Sequence, residues 1–188
     1  MAISACGGSS VDNTTPTITG TPNTTVTENT QFTFSPTAND ANGDLLSFSI
    51  TNKPDWASFN TATGQLTGTP TTTGSYTNIA ISVSDGLAIA SLPAFSIHAL
   101  GSAVLSWSKP TLNEDGTTLI DLTGYVIYYG TSANKDELNS RIPITDGNTT
   151  TYTINDLQPG ITYYFAIASV SSSGGEGKKS NPASKTIN

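Results

Sequence analysis

Asp40, Asn42 and Asp44 place oxygen ligands at alternate positions around Gly43, and oxygen atoms gathered on a tight turn are what a hard cation such as Ca2+ requires. The same residues suit a plain hairpin turn, because Asn-Gly accepts positive φ and Asp caps nearby backbone amides. Proton-transfer and nucleophilic chemistry have little to work with. His98 is the single histidine, so any Ser-His-Asp or Cys-His arrangement must use it, and it falls at a strand end. A His/Cys zinc site lacks ligands, and neither a G-x-S-x-G elbow nor a phosphate-cradling glycine loop occurs. Paired carboxylates for glycoside hydrolysis need a separation of about 5–9.5 Å across a cleft, and small strand-built domains expose few clefts. Trp56, within Pro54-Asp55-Trp56-Ala57-Ser58-Phe59, invites sugar stacking, but Phe59 beside it and Leu66 downstream mark it as a core plug. The chain therefore reads as non-enzymatic.

The elements that carry these residues are strands. Phe32 and Phe34 alternate, as do Leu46, Phe48 and Ile50, then Ile79, Ile81 and Val83, then Phe95 and Ile97. Turn signals separate them, at Asn42-Gly43-Asp44, Asn52-Lys53-Pro54, Ala62-Thr63-Gly64 and Asp85-Gly86. Near Ala99-Leu100-Gly101-Ser102 one strand series ends and a second begins: Leu105 and Trp107, Tyr125, Ile127 and Tyr129, Tyr152 and Ile154, Tyr163, Phe165 and Ile167. Each half holds its own apolar set, which predicts an all-β chain of two consecutive immunoglobulin-like β-sandwiches, 15–99 and 100–188, after a flexible segment 1–14. The one helical signal is a single turn over Lys135-Asp136-Glu137, with Ser132 as its cap.

Composition agrees. Only 11% of the 188 residues are charged, against roughly 25% in an average soluble protein. The net charge of -7, with Lys178-Lys179 as the only adjacent basic pair, excludes nucleic acid, whose phosphates require clustered Lys and Arg. No apolar run approaches the 18 or so residues of a membrane-spanning helix.

Two resemblances attach to particular residues. Trp107 followed by Pro110, the strand Gly124-Tyr125-Val126-Ile127-Tyr128-Tyr129-Gly130 and the turn Leu157-Gln158-Pro159-Gly160-Ile161-Thr162-Tyr163 resemble a fibronectin type III domain, the last being its tyrosine corner. Asp40-Ala41-Asn42-Gly43-Asp44 with Leu46-Ser47-Phe48-Ser49-Ile50, Thr63-Gly64-Gln65-Leu66-Thr67-Gly68-Thr69-Pro70 and Val83-Ser84-Asp85-Gly86 resemble the cadherin-like immunoglobulin domains of bacterial surface proteins. The second resemblance implies that Glu28 and Asp85 reach the Asp40–Asp44 loop as further Ca2+ ligands. The first implies that the strands carrying Tyr128 and Tyr164 are neighbours. Since Tyr125, Ile127, Tyr163 and Phe165 face inward, Tyr128 and Tyr164 are expected side by side on an exposed face that stacks on a sugar or anchors a protein.

Ile3-Ser4-Ala5-Cys6 resembles the end of a bacterial lipoprotein signal, with Cys6 as the lipid acceptor and Gly7-Gly8-Ser9-Ser10 as a tether. It implies an outer-membrane or cell-surface lipoprotein held by its lipid alone. The expected partner is a protein or polysaccharide at the cell surface, or a second copy of the chain. The expected role is adhesion, recognition or assembly; carbohydrate binding as an accessory protein, or self-association into a surface filament or layer, are the alternatives.

Overall fold

The computed structural model describes residues 12–188, whose regular elements are all strands apart from one 3-10 turn. Cys6 lies outside the described residues. The strands are β1 (Thr17–Thr19), β2 (Thr25–Thr27), β3 (Phe32–Phe34), β4 (Thr37–Asn39), β5 (Ser47–Thr51), β6 (Ala57–Phe59), β7 (Leu66–Gly68), β8 (Gly74–Ser84) and β9 (Ile89–Ser91). They continue as β10 (Phe95–Ser106), β11 (Leu122–Gly130), β12 (Ser140–Ile144), β13 (Thr151–Leu157), β14 (Thr162–Ser171) and β15 (Ala183–Thr186). The chain divides into two compact units. The first runs to Pro70 and includes Ser75–His98; the second takes Thr71–Gly74 and Ala99–Asn188. Ala99–Ser102 is not a linker loop, since β10 passes through it as one strand.

In the first unit a three-stranded sheet, β3-β7-β6, accompanies a second sheet in which β8 lies between β5 and β10. The alternation on β8 holds: Ile79, Ile81 and Val83 are fully buried, and Val26, Phe32, Phe34, Phe48, Leu66 and Ile97 complete the core. Trp56 packs edge-on against Phe32 and Tyr76, with ring centroids 5.9 and 5.8 Å away, so it is the plug its neighbours suggest. A Cβ at Gly68 would meet the Trp56 carbonyl oxygen at 2.4 Å, which is why β7 passes the tryptophan with a glycine.

The second unit sets the four-stranded sheet β12-β11-β14-β15 against β10 and β13. Ala103, Ile127, Ile154, Leu157, Phe165 and Ile187 form its core, and Trp107 meets Tyr125 edge-on at 5.3 Å. The tyrosine corner is present: the Gln158 amide donates to the Tyr163 hydroxyl at 3.2 Å. At Gly124 the register of β11 shifts against β14, and a side chain there would lie 2.0 Å from the Ile144 carbonyl oxygen. The 3-10 turn Lys135–Glu137 is capped by Asn134, whose side chain accepts from the Asp136 amide, rather than by Ser132. Ser132 instead accepts from the Asn134 amide and donates to Glu137; this bond, and then one from the Asn134 side-chain amide at 3.0 Å, lower the Glu137 pKa.

Candidate recognition surface

The strands bring Tyr128 and Tyr164 onto one face, as antiparallel pairing of β11 with β14 requires, with Tyr128 opposite Ala166 and Gly130 opposite Tyr164. That face is covered. Val126, Tyr128, Leu138, Ala166 and Ala168 form a second apolar cluster, with Tyr164 and Val170 packed at its margin. Tyr128 is only 9% exposed, so the expectation of an open aromatic pair is corrected. The Lys179 ammonium sits 4.1 Å from the Tyr128 ring centroid and the Arg141 guanidinium 5.5 Å from it. The Tyr128 hydroxyl donates to the Glu176 carboxylate, which also pairs with Arg141. Burial, and then this bond to Glu176, raise the Tyr128 pKa above its ordinary value.

Sequence reasoning missed Arg141, Glu176 and Lys179. They lie 13 to 51 positions from Tyr128, and no local periodicity links charged residues so far apart. Beside this cover, a depression of about 550 Å³ is lined by Leu112, Glu114, Leu122, Val170, Glu176 and Lys178. Glu114 binds Lys178 through both its ammonium and its backbone amide, each at 2.9 Å, and the side-chain bond does most to lower the Glu114 pKa.

In the first unit Asp40, Asn42 and Asp85, among the residues proposed for Ca2+, accept hydrogen bonds from the chain itself. Asp40 Oδ1 accepts from the amides of Asn42 and Asp44 at 2.8 and 3.1 Å, and Asn42 Oδ1 accepts from the Thr14 amide at 2.7 Å. Asp85 Oδ1 accepts from the amides of Leu87 and Ala88, and its Oδ2 from Asn13. Its pKa is lowered, first by the Ala88 bond and then by Asn13. Asp40 Oδ2 is buried without a partner. Among the described residues no three His, Cys, Asp or Glu side chains gather to hold a metal ion. Asp40 and Asp85 act as turn caps. His98 is exposed, with Nδ1 2.9 Å from the Ser75 hydroxyl, and no carboxylate orients it.

The fold class is thus that of tandem immunoglobulin-like sandwiches. Residues 15–98 match the family model described as "Putative Ig domain", and residues 96–186 match the fibronectin type III domain, so the chain carries the first followed by the second. Among solved structures, the chain is similar to the chicken CNTN1 FN1-FN3 domains, with 14% identity over 94% of this chain and 68% of that one and a TM-score of 0.33. Domains A168-A170 of titin match at 12% identity over 93% and 67%, with a TM-score of 0.35. A "putative alpha-galactosidase" of Bacteroides fragilis matches at 18% identity over 46% of this chain, with a TM-score of 0.40, and this chain spans 18% of that one.

Proposed function

We propose that the chain is a non-enzymatic, extracytoplasmic adhesion and recognition module, presented at the outer membrane from a lipid on Cys6, with a protein as its partner. The observation that carries this reading is the tandem itself: two sandwich domains of families built for contact. Within them the polar side chains with chemical potential are spent on turns and covers, as with Asp40, Asp85 and Glu176. No helix among the described residues is long and apolar enough to cross a membrane, and this reading assigns attachment to the lipid. Stiff sheets then hold a contact surface away from the bilayer. The buried Tyr128 ring argues against sugar stacking on that face.

Metabolic labelling with an alkyne fatty acid tests the anchor: incorporation is expected in the full-length precursor and lost in Cys6→Ser. Protease shaving of intact cells tests the surface location, and full protection would reject it. Millimolar calcium is expected to leave the melting temperature of the chain unchanged. A rise abolished by Asp40→Asn would establish the cation site.

A further inference from the structure

We infer that the second unit takes up an extended strand of a partner polypeptide along the open edge of β10; this rests on the recognition reading and gives it a site. The two sheets of the unit are unequal, four strands facing only β10 and β13. The Trp107 amide donates to the Thr150 carbonyl at 3.0 Å, and Leu105 and Ala103 lie opposite Tyr152 and Ile154. That register turns the odd-numbered backbone groups of β10 toward β13 and those of Val104 and Ser106 toward the opposite edge. Past Ser102 no described strand follows that edge. The Ser102 carbonyl, at its start, accepts from the Lys185 ammonium at 2.7 Å.

Other strand edges in this unit carry the devices that prevent pairing. β12 has Arg141 and Pro143, β15 has Lys185, and β13 has Asp156 at a φ of 60°. Residues 103–106 of β10 have no charge, no proline and no bulge. Beside them runs a groove of about 400 Å³ lined by Val104, Leu105, Trp107, Phe165, Ile167 and Ala183, with no charged residue in its walls. Val104 is 71% exposed, and the buried Trp107 Nε1 has no hydrogen-bond partner.

These features fix the chemistry of the occupant. Unpaired strand amides and carbonyls are satisfied together only by another extended backbone, and every second side chain of that backbone drops into the groove. The uncharged walls require those side chains to be apolar, since a buried charge there has no partner. Antiparallel addition, the more stable pairing, brings the C-terminal end of the added strand beside Ser102, where a carboxylate meets Lys185. The occupant is a neutral strand with alternating apolar residues and an acidic end.

Amide hydrogen exchange on the full chain, followed by NMR, tests this with the synthetic peptide acetyl-Thr-Val-Thr-Val-Thr-Glu. The Val104 and Ser106 amides are expected to exchange quickly alone and about tenfold more slowly with saturating peptide. A peptide with proline in place of its middle threonine, whose amide is the one turned toward the even-numbered residues of β10, lacks a donor needed for the ladder and is expected to leave them unchanged. Ser106→Lys is expected to keep the melting temperature and lose the protection. Slow exchange of both amides in the dilute free chain, equal protection by the proline peptide, or no protection at all each overturns the inference. Protection that grows with protein concentration without peptide also overturns it, in favour of a second copy. Failure of lipid labelling at Cys6 sinks the anchor reading and leaves this result standing.

Discussion

The two faces of the β12-β11-β14-β15 sheet are both closed, by different means. The inner face is closed by apolar side chains from the opposite sheet, with Tyr125, Ile127 and Phe165 nearly free of water. The outer face has a thin apolar layer, Val126, Tyr128, Ala166 and Ala168, roofed by the charged tips of Arg141, Glu176 and Lys179. The difference teaches that alternation sets which way a side chain points, not whether water reaches it. A roof of long charged side chains buries a ring with their stems and keeps their heads wet.

If the inner face is the true core, Ile127→Ala is the largest break. Ile127 is fully buried, and losing its branched carbons leaves a cavity that costs about 2–5 kcal/mol, read from urea unfolding. Tyr128→Ala removes the centre of the outer layer; because water can refill a site beneath flexible charged tips, we expect the lower part of that range, about 2–3 kcal/mol. A Tyr128→Ala loss equal to or above that of Ile127→Ala would abolish the distinction between the faces. Tyr128→Phe keeps the ring and drops only the bond to Glu176, for about 1 kcal/mol.

Much of the inner face is legible in the sequence, since Tyr125, Ile127 and Phe165 repeat with period two and Gln158 to Tyr163 spells the corner that the structure forms. The same rule gives the direction of Tyr128 and Tyr164. It does not give their cover, because Glu176 and Lys179 reach Tyr128 from a distant segment and their types suggest solvent. The loop from Asp40 to Asp44 was ambiguous for another reason. Carboxylates that cap amides and carboxylates that hold a cation occupy the same spacing, and the sequence does not show that Asp40 Oδ1 accepts two backbone amides. The groove beside β10 was illegible because strand composition does not say which edge finds a neighbour.

Lys179→Ala sharpens the comparison further, since it removes the cation over the ring and leaves the apolar layer in place. We expect about 0.5–1 kcal/mol. Ionisation of Tyr128 is the matching pH probe. Its folded pKa is raised, so the folded state holds this proton to higher pH than the unfolded state does. The contribution is complete below the ordinary tyrosine value and is lost as pH climbs through the raised folded value. Among the seven tyrosines, Tyr128→Phe should remove one late phenolate step from the ultraviolet titration; an unchanged late step would place the protected hydroxyl elsewhere.

The smallest effect belongs to the Arg141–Glu176 pair. Their side chains are 55% and 32% exposed, and an ion pair that wet recovers little Coulomb energy after side-chain ordering and salt screening. Arg141→Ala alone should therefore cost less than about 1 kcal/mol, with the cost shrinking in high salt. Glu176 also holds the Tyr128 hydroxyl, so the double-mutant cycle of Arg141→Ala with Tyr128→Phe asks whether the roof acts as a unit. Additive losses mean that Arg141 only shades the ring. A coupling above about 0.5 kcal/mol means that Glu176 is positioned by the arginine, so that the outer face is closed by a network with the cooperativity of a core.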